Sequence, residues 1–492
     1  MAVVVQAADS DTLGLGGKLS FQLTQAAQIE ENSEILFKTA TGFVWGVADP
    51  VSGSPGEFTL RPGAIVVTGN NLTYGADGKP NGGTVTGVRI ALEGTVAEQG
   101  AGFDIDSTPM LDITGLAIGG TAFTQAFILA FETGNSVPIE NIFFGLPWNY
   151  NGSAFSDFFH GFSKNDTLFG NDDRDELFGG GGDNKLYGGA GDDFLRGGGP
   201  GKDYLSGGTG RDVADYSDSG TGLTVSLNNP ALNTGNAAGD TYNSIENLRG
   251  STLNDTVEGN AGANVLDGNL GNDTLRGLAG GDRLAGSSGN DTLIGGTGGD
   301  ELQGSAGIDT ASYKDATTGV TASLANASLN KGEAAGDSYA EVENLIGSAF
   351  DDLLFADNGV NVVSAGNGDD QIRGYRGNDT LAGGSGKDTF VFNSSLSAAT
   401  NVDTIVDYLA AADTIHLDNA VFTALTTVGP LSAAAFRANT TGLAGDATDR
   451  IIYETDTGKL FYDFNGNAVG GGVHFATLSG APTITAADFV VV

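Results

Sequence analysis

The sequence has no cysteine, and its 492 residues include only three histidines, two methionines and two tryptophans. Without cysteine there are no disulfides, thiolate nucleophiles or Cys-type zinc sites. His160, His416 and His474 are scattered and no HExxH occurs, so the usual zinc-protease motif is absent. No GxSxG marks a lipase-type serine. Basic residues are scarce as well: 22 Lys and Arg stand against 61 Asp and Glu, for a formal charge of −39. The electrostatic footprint of a nucleic-acid binder is therefore missing, whereas so many carboxylates suit hard cations. No apolar stretch is long enough for a transmembrane segment. The start, "MAVVVQAADSDTL", lacks the basic region and apolar core of a secretory leader.

Glycine, by contrast, is abundant at 80 residues, and much of it falls on a nine-residue period. The phase is set by Gly at the first position, Asp or Asn at the sixth and an apolar residue at the eighth. Block 1, residues 161–215, has sixth positions Asp166, Asp175, Asn184, Asp193, Asp203 and Asp212, with one extra residue near Pro200. Block 2, residues 250–312, runs without a gap through Asp255, Asn264, Asp273, Asp282, Asp291, Asp300 and Asp309. Block 3, residues 347–391, holds Asp352, Asn361, Asp370, Asp379 and Asp388.

A nonapeptide divides into a six-residue turn and a three-residue strand with one inward side chain. Glycine suits the turn because it takes positive φ and has no Cβ to obstruct converging carbonyls. The sixth residue supplies an oxygen ligand. Two units then make one coil of a flattened right-handed solenoid. Its stacked turns can hold Ca2+ through these side chains and through backbone carbonyls of turn residues such as Gly268, Gly271, Gly286, Gly289, Gly295 and Gly298. A cation between each unit and the next but one gives at most about a dozen sites. One apolar residue in nine is too little to order the blocks unaided. Residues 161–391 carry 35 acidic against 14 basic residues, which opposes folding further. Folding is therefore expected to require calcium.

The connecting segments, 216–249 and 313–346, repeat each other. "DVADYSDSGTGLTVSL…AAGDTYNSIENLRGS" from Asp212 aligns with "DTASYKDATTGVTASL…AAGDSYAEVENLIGS" from Asp309, pairing Tyr216 with Tyr313, Asp240 with Asp337 and Glu246 with Glu343. A whole module has been duplicated in tandem. "GLTVSL" and "GVTASL" alternate as half-buried strands do. Residues 1–160 read as an antiparallel β domain with turn signals between amphipathic strands, and one helix carrying Phe123, Phe127 and Phe131. Residues 392–492 return to alternating strands as a β cap, with a hairpin in "RIIYETDTGKLFYDF". The expected fold is all-β, with an N-terminal antiparallel β domain, a parallel β-roll in three blocks and a C-terminal cap.

These blocks resemble the RTX, or hemolysin-type calcium-binding, family, across about two-thirds of the chain. The likeness is strongest in "GSSGNDTLIGG", in the duplicated "AAGD" to "ENL" segments, and in "GGSGKDTFVF…VDTIVDY…DTIHLD", which is similar to the region closing a serralysin-type roll. The resemblance implies a Gram-negative extracellular or cell-surface protein exported by a type I (ABC) secretion apparatus. Its C-terminal signal would be carried by Asp488, Phe489, Val490, Val491 and Val492. Two minor features remain. "DFNGN" sets Asp463, Asn465 and Asn467 at alternating positions, but Ala468 and His474 stand where an EF-hand needs Gly and Glu. Asp104 and Asp106 could form a same-face carboxylate pair on a strand. The expectation is a secreted calcium-dependent structural, surface-layer, matrix or adhesive protein, self-assembling or binding cell-surface glycan. The alternative is a polysaccharide-acting exoenzyme with its site in residues 1–160.

Overall fold

In the computed structural model, every nonapeptide contributes one inward residue and one strand. The structure describes residues 148–152, 154–467 and 470–492, together with the backbone of the strands between Val3 and Gly119. Among the described residues there are strands and short 3-10 turns but no α-helix. The helix expected around Phe127 lies outside them. The chain divides into two units, Met1–Arg249 and Gly250–Val492.

In the first unit, Glu34–Thr39, Gly42–Gly46, Ala64–Tyr74, Pro80–Ala91 and Met110–Gly119 pair antiparallel in that order. Ala48–Pro50, Glu57–Leu60, Gly94–Gln99 and Gly102–Asp106 form a second antiparallel sheet. Asp104 and Asp106 fall in its last strand, and their side chains lie outside the described residues. Val3–Gln6 pairs antiparallel with Met110–Gly119 on one side and parallel with Trp148–Asn151 on the other. From there the strand pairing described within this unit is parallel. One sheet runs through Trp148–Asn151, Thr167–Asp172, Lys185–Ala190, Tyr204–Thr209 and Thr241–Asn243. The facing sheet runs through Phe158–His160, Glu176–Gly180, Phe194–Gly198, Val213–Asp215 and Asn247–Arg249.

Register follows from the period. Leu168 pairs with Leu186, two units on, and the extra residue near Pro200 moves the next partner to Leu205. Leu168, Leu177, Leu186, Leu195 and Leu205 are fully buried, so the interior is a stack of single leucines between two sheets. The second unit repeats this with Val257, Leu266, Leu275, Leu284, Leu293 and Leu302. The strands expected in the connecting segments are Thr224–Ser226 and Thr321–Ser323, but they are more buried than the expected half-buried alternation, the second at all three positions, and the last third of each segment pairs with the repeats of its own unit.

The C-terminal region closes the second unit with the expected hairpin, Ile451–Glu454 against Lys459–Asp463. Phe422 packs edge-on against Tyr462 and Phe475, which also meets Phe392. Phe489–Val491 is a central strand between Thr414–Leu417 and Gly429–Pro430, with Phe489 and Val491 buried. "DFNGN" forms a turn in which the Asn465 amide donates to Asp463 Oδ1 at 3.0 Å, while Asn467 is exposed.

Because each coil has so few core atoms, truncating one leucine should be costly. Leu284→Ala is expected to lower stability in calcium by about 2–5 kcal/mol, read as the denaturant midpoint. A loss no larger than that of an exposed Thr→Ala control would contradict the single-leucine core.

Candidate metal centres in the turns

Except at Ala356 and Ala365, each turn of the three blocks opens at a glycine, and it returns to strand just after the sixth-position residue. In turns such as Gly289–Asn290 and Gly298–Gly299 the fourth residue has positive φ, 129° and 147°, a region L side chains rarely adopt. This curl aims the sixth residue inward, where the coils form a ladder. The Asp273 amide donates to Asp291 Oδ1 at 2.8 Å, Asp282 to Asp300 at 2.8 Å, and Asp291 to Asp309 at 2.7 Å. The same bond links Asp175 to Asp193, Asp193 to Asp212, Asp352 to Asp370 and Asp370 to Asp388. One oxygen of each carboxylate is thus used by the backbone.

The other oxygen is not. Among the described residues, Oδ2 of Asp175, Asp193, Asp203, Asp212, Asp273, Asp282, Asp291, Asp300, Asp309, Asp370, Asp379 and Asp388 is buried with no hydrogen-bond partner. A buried carboxylate oxygen left this way costs on the order of 1–3 kcal/mol or more. All but Asp370, whose turn opens at Ala365, face the glycine that opens their own turn. A methyl group on Gly277 would overlap Asp282 Oδ2 and lie 2.6 Å from Gly295 O, and one on Gly170 would meet Asp175 Oδ2 and Gly188 O in the same way. The missing Cβ therefore leaves a cradle walled by one carboxylate and a carbonyl from the next coil. An all-oxygen donor set of this kind fits Ca2+. No three His, Asp or Glu side chains converge among the described residues, as a catalytic zinc would need.

The remaining sixth-position residues differ. Asp166 Oδ2 accepts from the Phe162 amide at 2.9 Å. At Asp255, Ser251 donates its amide to Oδ2 at 2.5 Å and its hydroxyl to Oδ1 at 2.9 Å, and Ser348 does the same to Asp352. Asn184 accepts from the Asp166 amide, and its NH2 donates to Gly182 O and Gly197 O at 3.2 Å each. Asn361 donates to Asp357 Oδ1 and Glu343 O, and Asn264 Oδ1 accepts from Asn260. Among the turn carbonyls, Gly268 O, Gly286 O and Gly295 O wall the cradles opened by Gly250, Gly268 and Gly277. Gly271 O and Gly289 O lie instead against Gly289 and Gly307 of the next coil, and Gly298 O lies near Gly336.

Sequence reasoning missed several rungs. Asp240 and Asp337 take the sixth-position role for Asp203 and Asp300, and Glu246 and Glu343 for Asp212 and Asp309. Asp403 and Asp413 in the cap do so for Asp379 and Asp388. Their Asp-Thr-Ile triplets, matching the Asp-Thr-Leu of the repeats, were the available signal. Gly152–Asp157 is a further unit before block 1. A Cβ on Gly152 would meet Gly170 O and Asp157 Oδ2, the Asp157 amide donates to Asp175 Oδ1, and Phe159 is the inward residue. A second ladder, at the fifth position, links Asn254, Asn272 and Asn290, each side chain accepting from the amide one coil on.

Burial pushes these carboxyls up, and neighbouring carboxylates add to it: Asp273 to about 8, Asp175, Asp203 and Asp370 to about 7, Asp282 and Asp309 to about 6. The ladder amides oppose the shift without cancelling it.

A parallel β-roll lined by repeated one-carboxylate cradles belongs to the class of repeat proteins that bind cations in their turns. The model of the RTX calcium-binding nonapeptide repeat matches residues 160–195, 197–215, 249–284, 276–311, 340–372 and 355–390. The chain therefore carries RTX calcium-binding nonapeptide repeats within residues 160–390. No curated protein matches it. Among solved structures it is similar to the extracellular lipase LipA from Serratia marcescens, at 16% identity over 70% of this chain and 40% of that one, with a TM-score of 0.14. It spans well under half the length of that lipase, and a likeness at this level carries no argument about activity.

The raised carboxyls set a pH dependence. Their folded-state values exceed the ordinary 3.8, so the cation-free roll binds more protons than the unfolded chain; it is favoured at acid pH and loses that support as pH rises through about 6–8. In chelator, circular dichroism should show more β structure at pH 5 than at pH 8. With calcium, the midpoint concentration for folding should rise over the same range, because protons no longer stand in for the cation on these oxygens. A chelator series independent of pH would remove this account.

Proposed function

We propose that this is an extracellular calcium-dependent roll, exported by a type I (ABC) apparatus and folded by calcium outside the cell, with a structural, surface-layer, matrix or adhesive role. The observation that carries the reading is the repeated pairing of a buried, unpartnered Asp Oδ2 with a glycine whose Cβ would fill the space beside it. Cations would be held at Asp175, Asp193, Asp203, Asp212, Asp273, Asp282, Asp291, Asp300, Asp309, Asp370, Asp379 and Asp388. The bound ion supplies the positive charge that these desolvated oxygens lack; the backbone carbonyls complete its oxygen shell.

Extracellular calcium modules bind at about 10⁻⁴ to 10⁻³ M, far above cytosolic calcium, so the chain would remain largely unfolded until it left the cell. Unfolded passage fits the C-terminal strand as well: Phe489 and Val491, part of the segment resembling an export signal, are buried once the cap forms. The finished roll would present its N-terminal β domain for self-assembly or for binding cell-surface glycan.

Circular dichroism of the full chain in chelator and in millimolar calcium tests the folding step; identical spectra would refute it. Asp291→Asn removes a carboxylate, and Gly286→Ala places a methyl against Asp291 Oδ2. Each should raise the calcium midpoint for folding, with a lost site removing about 1.4 kcal/mol at tenfold saturation. Light scattering in calcium, with and without glycan or cells, tests assembly: monodisperse monomers that bind neither would end the structural and adhesive reading.

A further inference from the structure

The duplicated connecting segments place a tyrosine hydroxyl where the repeats leave a carboxylate oxygen without a partner. Asp240 Oδ1 accepts from the Asp203 amide at 2.8 Å, as in any rung, but its Oδ2 accepts from the Tyr216 hydroxyl at 2.8 Å. In the second copy, Asp337 Oδ1 accepts from the Asp300 amide at 2.9 Å and its Oδ2 from the Tyr313 hydroxyl at 2.8 Å. A full relay stands behind each hydroxyl. Asn233 donates to the Tyr242 hydroxyl at 3.0 Å, and Tyr242 and Tyr216 are hydrogen-bonded at 2.6 Å. Asn330, Tyr339 and Tyr313 repeat the arrangement. With Tyr216 donating to Asp240, Tyr242 must donate to Tyr216, so one proton direction satisfies the whole chain of groups.

Space for the tyrosine comes from Ala214 and Ala311, which take inward positions filled by leucine in most coils. The glycine cradle is lost at the same place. A Cβ on Gly235, five residues before Asp240, would meet Leu223 Cβ and backbone or side chain of Gly222 and Thr221 rather than the carboxylate, and one on Gly332 would meet Gly319 O and Val320. The ladder also stops here. The amides of Asp240 and Asp337 donate to Ala237 O and Ala334 O of their own 3-10 turns instead of to another carboxylate.

We propose that Tyr216 and Tyr313 act as built-in substitutes for a cation, so that Oδ2 of Asp240 and of Asp337 ligates no metal and each duplicated module ends its row of sites at a cation-free lock. The inference rests on the proposed siting of calcium at the unpartnered Oδ2 atoms. It makes the number of ions smaller than the number of ladder carboxylates, and gives each module one junction whose polar groups are satisfied without calcium.

Anomalous scattering from crystals of the full chain grown in calcium tests this directly. The expected map has peaks beside Asp282 Oδ2 and Asp291 Oδ2 and none within coordinating distance, about 2.3–2.6 Å, of Asp240 Oδ2 or Asp337 Oδ2. A peak at either of the latter two, alongside peaks at the repeats, overturns the lock while leaving the siting of calcium intact. A map with no peaks at Asp282 and Asp291 defeats that siting, and the lock falls with it.

Discussion

The buried carboxylate is the interaction on which the roll depends. Each coil must place Asp side chains between stacked turns, where one oxygen is held by a backbone amide and the other faces a glycine. Desolvating that second oxygen is costly unless positive charge or a donor meets it. Everything else in the repeat serves this placement. Glycine at the first position clears the cradle, positive φ at the fourth turns the chain, and a single leucine at the eighth anchors the strand. A core this thin leaves the coils little apolar burial to offset that cost.

The same constraint explains why the rungs are not alike. Where no unpartnered oxygen occurs, the protein supplies the donor itself: Ser251 for Asp255, Ser348 for Asp352, Tyr216 for Asp240, and the amide of Asn184 within its own turn. Replacing Asp by Asn exchanges a charged acceptor for a donor that reaches the very carbonyls lining the cradle. The ladder is therefore a series of equivalent positions, some closed by an internal hydrogen bond and others left with an unpartnered oxygen of the kind that suits a cation.

Much of this was legible in the residues. The nine-residue period gave the parallel coils, their two-unit register and the leucine stack, because a turn of fixed length repeated without gaps leaves the inward face no other periodicity. The extra residue near Pro200 shifted the register by one, as its position implied. The paired connecting segments were visible as a duplication, but their rungs were not. Asp240 and Asp337 lie off the nine-residue phase, and only strand pairing brings them under Asp203 and Asp300. The Gly152–Asp157 unit stands one period before Gly161 and in phase with block 1, so it was legible in the sequence and was missed.

The sequence by itself determined that the chain carries a glycine-rich, strongly acidic repeat with one inward apolar residue in nine, which leaves its coils few apolar contacts and many like charges to offset. Tertiary structure decided which carboxylates are left with an unpartnered oxygen. That choice depends on whether a serine, tyrosine or amide donor from a distant part of the same unit reaches the second oxygen, and this is set by coil stacking rather than by local pattern.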